Sequence, residues 1–224
     1  MALFEFARST VRGALAAAAL AAAPGYAVPP SPEDIARICA NAEGSTHCGR
    51  LVEEMQLKRL PNLAVRDGPT LRVSLYPSGT ATLGDTDALN GGRSYSLWDY
   101  ISELNAVVLY TTDGDDVSFT VLQRATGRKT ELPSDPKVSP DRAYIVTADF
   151  CAKRCVNELA VWRVTREGIV KAWTWRPREA WTDASASWKS GQTIVVEYTA
   201  AGTQTNSTIE RRLDDPSWVR ASAP

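Results

Sequence analysis

The chain has 224 residues, 23% of them charged, with 25 Lys and Arg against 26 Asp and Glu. Basic residues scattered among acidic ones exclude the clustered positive stripe on which a nucleic-acid binder depends. The length is enough to bury one sizeable core, so a single globular unit is the expectation.

Arg8 and Arg12 precede an uncharged Ala-rich run, residues 13–23. A run of that length suits the h-region of a secretory signal and is too short for a membrane span, which takes about 20 apolar residues. Pro24-Gly25 stops it, and Gly25-Tyr26-Ala27 places small residues at the positions a signal peptidase reads. Residues 1–27 therefore read as a signal peptide, with cleavage after Ala27 preferred, after Ala23 the second choice, and an uncleaved anchor as the alternative. Without Arg8, Arg12 and Glu5 the remaining chain carries a net charge of −2. It is expected in the periplasm or outside the cell, with no integral membrane segment.

Residues 28–61 form a leader and a helical hairpin in this reading. Ser31-Pro32-Glu33-Asp34 has a capping Ser, a Pro at the first helical position and acids in the first turn. Ile35, Ile38, Cys39 and Ala42 follow at helical spacing. Gly44-Ser45 breaks that helix, and a second from near Thr46 repeats the pattern with Cys48, Leu51, Val52 and Met55 until Pro61. An exported chain with four cysteines predicts disulfides. Three connectivities are possible; the local one, Cys39 with Cys48 and Cys151 with Cys155, is preferred, each bond contributing about 2 to 3 kcal/mol on the chain-entropy model. The first would close the hairpin at its turn. Thiol zinc ligation with His47 is the rival, but neither pair has the C-x-x-C spacing.

Residues 62–224 change to short β-branched and aromatic runs between Gly, Asp, Asn and Pro turns. Strands are predicted at 71–76, 80–83, 94–97, 106–111, 118–124, 129–132, 143–148, 159–164, 169–175, 193–198 and 207–213, with a short helical turn over 98–104. Pro77-Ser78-Gly79, Asp113-Gly114-Asp115, Thr126-Gly127 and Glu167-Gly168 are short enough for hairpins. The fold class is thus mainly β: an antiparallel meander, propeller-like or an open sheet, preceded by a disulfide-bridged helical hairpin and packed with it. Groups of about three strands recur every 35 to 50 residues, an interval that suits propeller blades.

Pro136-Lys137-Val138-Ser139-Pro140-Asp141, followed by Ala143-Tyr144-Ile145-Val146 and Leu159-Ala160-Val161-Trp162, resembles one repeat of the TolB-type and WD-like β-propellers. The likeness covers residues 136–175; Arg142 stands where those repeats carry Gly, and no second Ser-Pro-Asp occurs. It implies a binding platform. The whole-chain pattern also resembles uncharacterised exported proteins of proteobacteria, which implies a location and no activity.

No catalytic, metal or cofactor site is assigned. His47 is the one imidazole and reads as a surface or capping group. The acids Asp85, Asp87, Asp113, Asp115 and Asp116 lie in turns, where Asp caps backbone N–H groups. Calcium would require Glu at the twelfth position, yet Ser96 and Arg124 stand there. Five of the seven tryptophans, Trp162, Trp173, Trp175, Trp181 and Trp188, fall in one stretch with Arg163, Arg176 and Arg178. Trp173 and Trp175 share a strand face, and with Arg176 and Arg178 they form the candidate binding surface, since Trp beside Arg suits an interface or a sugar platform. The expected function is a non-enzymatic module binding another protein, as inhibitor, immunity or assembly factor of the envelope; a carbohydrate-binding or glycoside-hydrolysing protein is the alternative. Intact-mass measurement of the exported protein is expected to show an N-terminus at Val28 and a mass four hydrogens below the reduced chain.

Overall fold

The computed structural model describes residues 30–86 and 92–221. The signal-peptide reading of 1–27 and the acid at Asp87 lie outside the described residues.

Helix α1 (Pro32–Cys39) starts as its sequence predicts: Asp34 N–H donates to Ser31 Oγ at 3.1 Å, and Ser31 N–H donates to the Asp34 carboxylate at 3.2 Å. The Ser31 N–H and the Ser31 hydroxyl, both donating to it, hold the Asp34 carboxyl below its usual range. Helix α2 (Ser45–Arg59) runs back beside α1, and the Cys39–Cys48 disulfide ties the two at the turn. Cys151 is bonded to Cys155.

The rest is antiparallel, in four successive sheets. The first holds β1 (Ala64–Asp67), β2 (Thr70–Ser74) and β3 (Thr80–Gly84). The second holds β4 (Arg93–Ile101), β5 (Ala106–Asp113), β6 (Asp116–Gln123) and β7 (Lys129–Leu132) in that order. The third contains β8 (Lys137–Val138), β9 (Tyr144–Asp149), β10 (Glu158–Val164) and β11 (Ile169–Trp175). The fourth is β12 (Trp181–Ser190), β13 (Thr193–Ala200) and β14 (Asn206–Arg212), after which β15 (Val219–Arg220) returns to pair with β11. All four predicted hairpins form; at the β5–β6 tip Gly114 has φ +59°, open to Gly at no steric cost.

Three apolar cores join these sheets in series. Leu71, Val73 and Leu83 meet Leu97, Leu109 and Leu122 between the first and second. The alternate residues of β5 and β6, Val108, Tyr110, Phe119 and Val121, face Ile145, Ala160 and Trp162 of the third. Strand β5 is therefore buried on both faces from Ala106 to Thr112. Val146, Leu159 and Val161 then meet Trp181, Ile194 and Val196 of the fourth. The outer faces at both ends are polar, with Arg72, Thr80 and Thr82 on one side and Asp183, Ser185, Lys189 and Glu197 on the other. Among the described residues no apolar core joins the first sheet to the fourth, so the strand groups form a stack rather than a closed ring.

Three expectations need correction. Residues 98–101 continue β4 through a bulge, and only Ser102–Leu104 is helical, as a 3-10 turn. Strands β1, β8, β12 and β15 lie outside the predicted runs: three are only two to four residues long, and in β12 Ser, Thr, Asp and Lys alternate with Trp and Ala and give little β signal. Of the predicted α2 stripe of Cys48, Leu51, Val52 and Met55 only Val52 is fully buried, and the residues buried with it are Gly49, Glu53 and Gln56. The reason is that α2 lies over the free edge of β4, whose backbone groups need polar partners.

Glu53 accepts from Arg66 Nε and Nη2 at 2.8 Å each, from Leu97 N–H at 2.8 Å and from Arg50 at 3.2 Å. Tyr95 N–H donates to Asp85 at 3.0 Å, while the Tyr95 carbonyl accepts from Arg50 at 3.0 Å and from Arg66. Further along, Gln56 donates to the Trp98 carbonyl. Close approach of the helix requires Gly49: a Cβ there would stand 2.8 Å from the Tyr110 ring and 3.0 Å from Ser96 Oγ. Tyr110 has no room to yield, stacked on Trp98 at 4.9 Å and edge-on to Phe119 at 5.5 Å. Gly49→Ala is expected to lose about 1–3 kcal/mol to overpacking, despite a gain of about 1 kcal/mol in helix propensity, whereas Gly44→Ala, in open space, stays near wild type; urea denaturation of both variants checks this.

Candidate functional site

The structure separates the tryptophans singled out from the sequence from their arginines. Trp175 is only 7% exposed, and the Arg211 guanidinium lies 4.1 Å from its ring centroid. Trp181 stacks on Tyr198 at 3.9 Å and meets Phe150 at 4.9 Å and Trp175 at 5.6 Å. Trp173 is half-buried against Tyr144 at 5.5 Å. These rings join the third and fourth sheets, so Trp175 has no free face for a ligand. Arg176 is exposed and shares the buried Glu158 with Lys171, at 3.2 and 2.9 Å. Arg178 is exposed past the end of β11.

The turn acids are held locally. Asp113 pairs with Arg93 at 3.1 Å, and Asp115 and Asp116 with Arg154 at 3.4 and 3.3 Å. His47 Nδ1 accepts from Glu43 N–H at 3.2 Å. Among the described residues no cluster of three or more His, Cys, Asp or Glu is placed to hold a metal ion.

A cleft of about 760 Å³ opens instead where four parts of the chain converge: the start of α1, the end of β4, the segment leading through the Ser139-Pro140-Asp141 turn, and Trp188 of β12. Each wall is fixed from behind. Trp98 is clamped by Tyr110 and Phe119, and Asp99 accepts from Arg59 at 2.7 Å. Tyr100 donates its hydroxyl to Asn105 at 3.1 Å, with the Arg124 guanidinium 5.8 Å from its ring centroid. Trp188 donates Nε1–H to the Lys137 carbonyl at 2.8 Å and lies along Tyr144, so its ring is a flat, oriented wall.

The Ser-Pro-Asp turn is locked within and from outside. Ser139 is buried, donates to Asp141 at 2.6 Å and accepts from Tyr144 N–H at 3.0 Å. Asp141 also accepts from Ala143 N–H at 3.1 Å and sits so close to Gly191 that a Cβ there would fall 2.8 Å from its carboxylate. Arg142 holds φ +62°, a left-handed conformation that favours Gly.

Charge in the cleft is mixed. Asp135 pairs with Lys137 at 2.5 Å, and Glu103 and Arg142 lie on the same rim. Burial pushes the Asp99 carboxyl above its ordinary range and the charge of Asp135 adds to this, against the Tyr100 N–H and Arg59, which favour the ionised form. Sequence reasoning missed Asp99, Asp135 and Trp188 as neighbours, since they come from three sheets or their connections; the legible signal was the Ser-Pro-Asp turn.

Comparison with known protein families, with characterised proteins and with solved structures finds no match to the chain.

Ionising a carboxyl raised by burial costs stability. The contribution of Asp99 is therefore fully present below its unfolded value and is lost as pH rises through its folded one. A carbon-detected NMR titration is expected to place the Asp99 midpoint above the ordinary aspartate value, and titration at or below that value would contradict the burial described.

Proposed function

We propose that the protein is an exported, non-enzymatic binding module, working in the periplasm or outside the cell, and that another protein docks at the cleft between the helical hairpin and the sheet stack. The observation that carries this reading is the composition of the cleft: oriented aromatic and aliphatic walls from Trp188, Tyr100, Ile35 and Val138 inside a rim of both charge signs. An apolar centre with aromatic anchors and a polar rim is the anatomy of a protein interface. The main ionised groups of the cleft are engaged internally, Asp99 by Arg59 and Asp135 by Lys137, which suits recognition better than proton transfer. Two disulfides support a location outside the cytoplasm. No described helix is long and apolar enough to cross a membrane.

A sugar ligand is the second reading, favoured by one observation: the flat Trp188 ring shares the cleft with Asp99 and Asp135, and a ring face beside carboxylates suits a pyranose with its hydroxyls.

A photo-crosslinking residue at Tyr100 is expected to capture one defined protein in cells, while the same residue at Thr82, on the outer face of the first sheet, captures none. Trp188→Ala is expected to weaken that complex at least tenfold, the loss typical of an aromatic anchor. Equal capture at both positions, or indifference to Trp188→Ala, defeats the protein-docking reading. Quenching of Trp fluorescence by a glycan with no protein present transfers the cleft to the second reading.

A further inference from the structure

We propose that the Cys151–Cys155 disulfide is a site of thiol–disulfide exchange with a dithiol, while Cys39–Cys48 is a structural crosslink. The two bonds sit in different surroundings. Cys39 packs against the central core, and its bond joins two helices. Cys151 and Cys155 are half-buried, join the ends of a short loop, belong to no apolar core among the described residues and bracket the exposed Ala152, Lys153 and Arg154. Val156, just beyond, is 54% exposed, so exposed residues flank Cys155 on both sides.

The loop is also held independently of its disulfide. Cys151 N–H donates to Asn157 Oδ1 at 3.3 Å and Val156 N–H to Asp149 at 3.0 Å. Arg154 reaches across to Asp115 and Asp116. Opening the bond therefore leaves the chain path supported.

One contact selects the sulfur that leaves. Arg154 N–H donates to Cys151 Sγ at 3.3 Å. A hydrogen-bond donor favours a thiolate, and exchange is faster when the departing sulfur is the better thiolate. The attacking thiolate of the dithiol accordingly bonds to Cys155 Sγ. The S–S bond breaks and its electron pair departs on Cys151 Sγ. The second thiol of the reagent, deprotonated, then attacks its partner sulfur in the mixed disulfide and releases Cys155 as thiolate. Two electrons and two protons pass to the protein, and the reagent leaves as its own disulfide.

Graded dithiothreitol on the purified protein, with acid quench, alkylation and peptide mapping, tests this. Cys151–Cys155 is expected to open at a concentration at least tenfold below that needed for Cys39–Cys48, with the circular dichroism spectrum unchanged. Brief exposure to glutathione is expected to leave the adduct on Cys155. Simultaneous opening of both bonds, earlier opening of Cys39–Cys48, or an adduct mainly on Cys151 overturns the proposal. The Cys151→Ser, Cys155→Ser double variant is expected to keep the wild-type spectrum; its unfolding would make the bond structural and overturn the proposal as well.

Discussion

An edge strand buried beneath a helix presents backbone N–H and C=O groups with no ladder partner, and here side chains meet those of Tyr95 and Leu97. Glu53 supplies the acceptor for Leu97, Asp85 the acceptor for Tyr95, and Arg50 and Arg66 the donors for the Tyr95 carbonyl. Leaving such groups unmet in the interior would cost about 1–3 kcal/mol each, so this polar seam decides where α2 can lie. A buried carboxylate is costly in its own right, and Glu53 is tolerable because four donors surround it. The seam also spans elements distant in sequence. Arg66 belongs to β1 and Asp85 follows β3, so the first sheet is fastened to the second by the same atoms that dock the helix.

Downstream of that seam the mode of attachment changes. The second and third sheets meet through aliphatic side chains and the Trp98–Tyr110–Phe119 group, and the third and fourth through a larger aromatic set in which Trp181 and Tyr198 stack. Aromatic pairs contribute about 0.5–1.5 kcal/mol beyond the area they bury. They let β12 hold its place although much of its sequence is polar: Trp181, Ala186 and Trp188 turn inward while Asp183, Ser185 and Lys189 face water. Outer faces that are polar apart from Val65 leave little apolar surface on which a further sheet would stack, as capping repeats do in other layered folds.

The sequence announced what local chemistry decides. The Ser31–Asp34 capping box, the Gly-bearing hairpin turns and the close cysteine pairs each depend on residues a few positions apart, and each was legible. Periodicity also located β5 and β6, where β-branched runs are long. It failed where burial is polar. Glu53 and Gln56 stand outside the apolar stripe read from the sequence, because nothing local indicates that an unpaired strand edge lies opposite. Trp175 and Arg176 read as one surface although neighbours along an extended chain point to opposite sides, and the pattern alone does not say which side is covered. The cleft was illegible for the same reason: its walls come from parts of the chain separated by up to about 150 residues.

That cleft is itself a consequence of the β4 seam. At Trp98 a bulge shifts the register between Leu97 and Asp99, and a bulge bends a strand and re-aims its side chains. Before it, the strand edge is sealed by Glu53 and its partners. Beyond it, Gln56 and Arg59, one and two turns further along α2, hold the Trp98 carbonyl and the Asp99 carboxylate from behind. The strand thus leaves the helix with the Trp98 carbonyl satisfied, and α1, tied to α2 by the Cys39–Cys48 bond, lines the gap through Pro32, Ile35 and Ala36. Trp188 and the locked Ser139-Pro140-Asp141 turn close the far side from sheets three and four. A hollow walled by separately braced elements needs little ordering on binding, and that is why the proposed docking is placed there and not on the two largely polar outer faces.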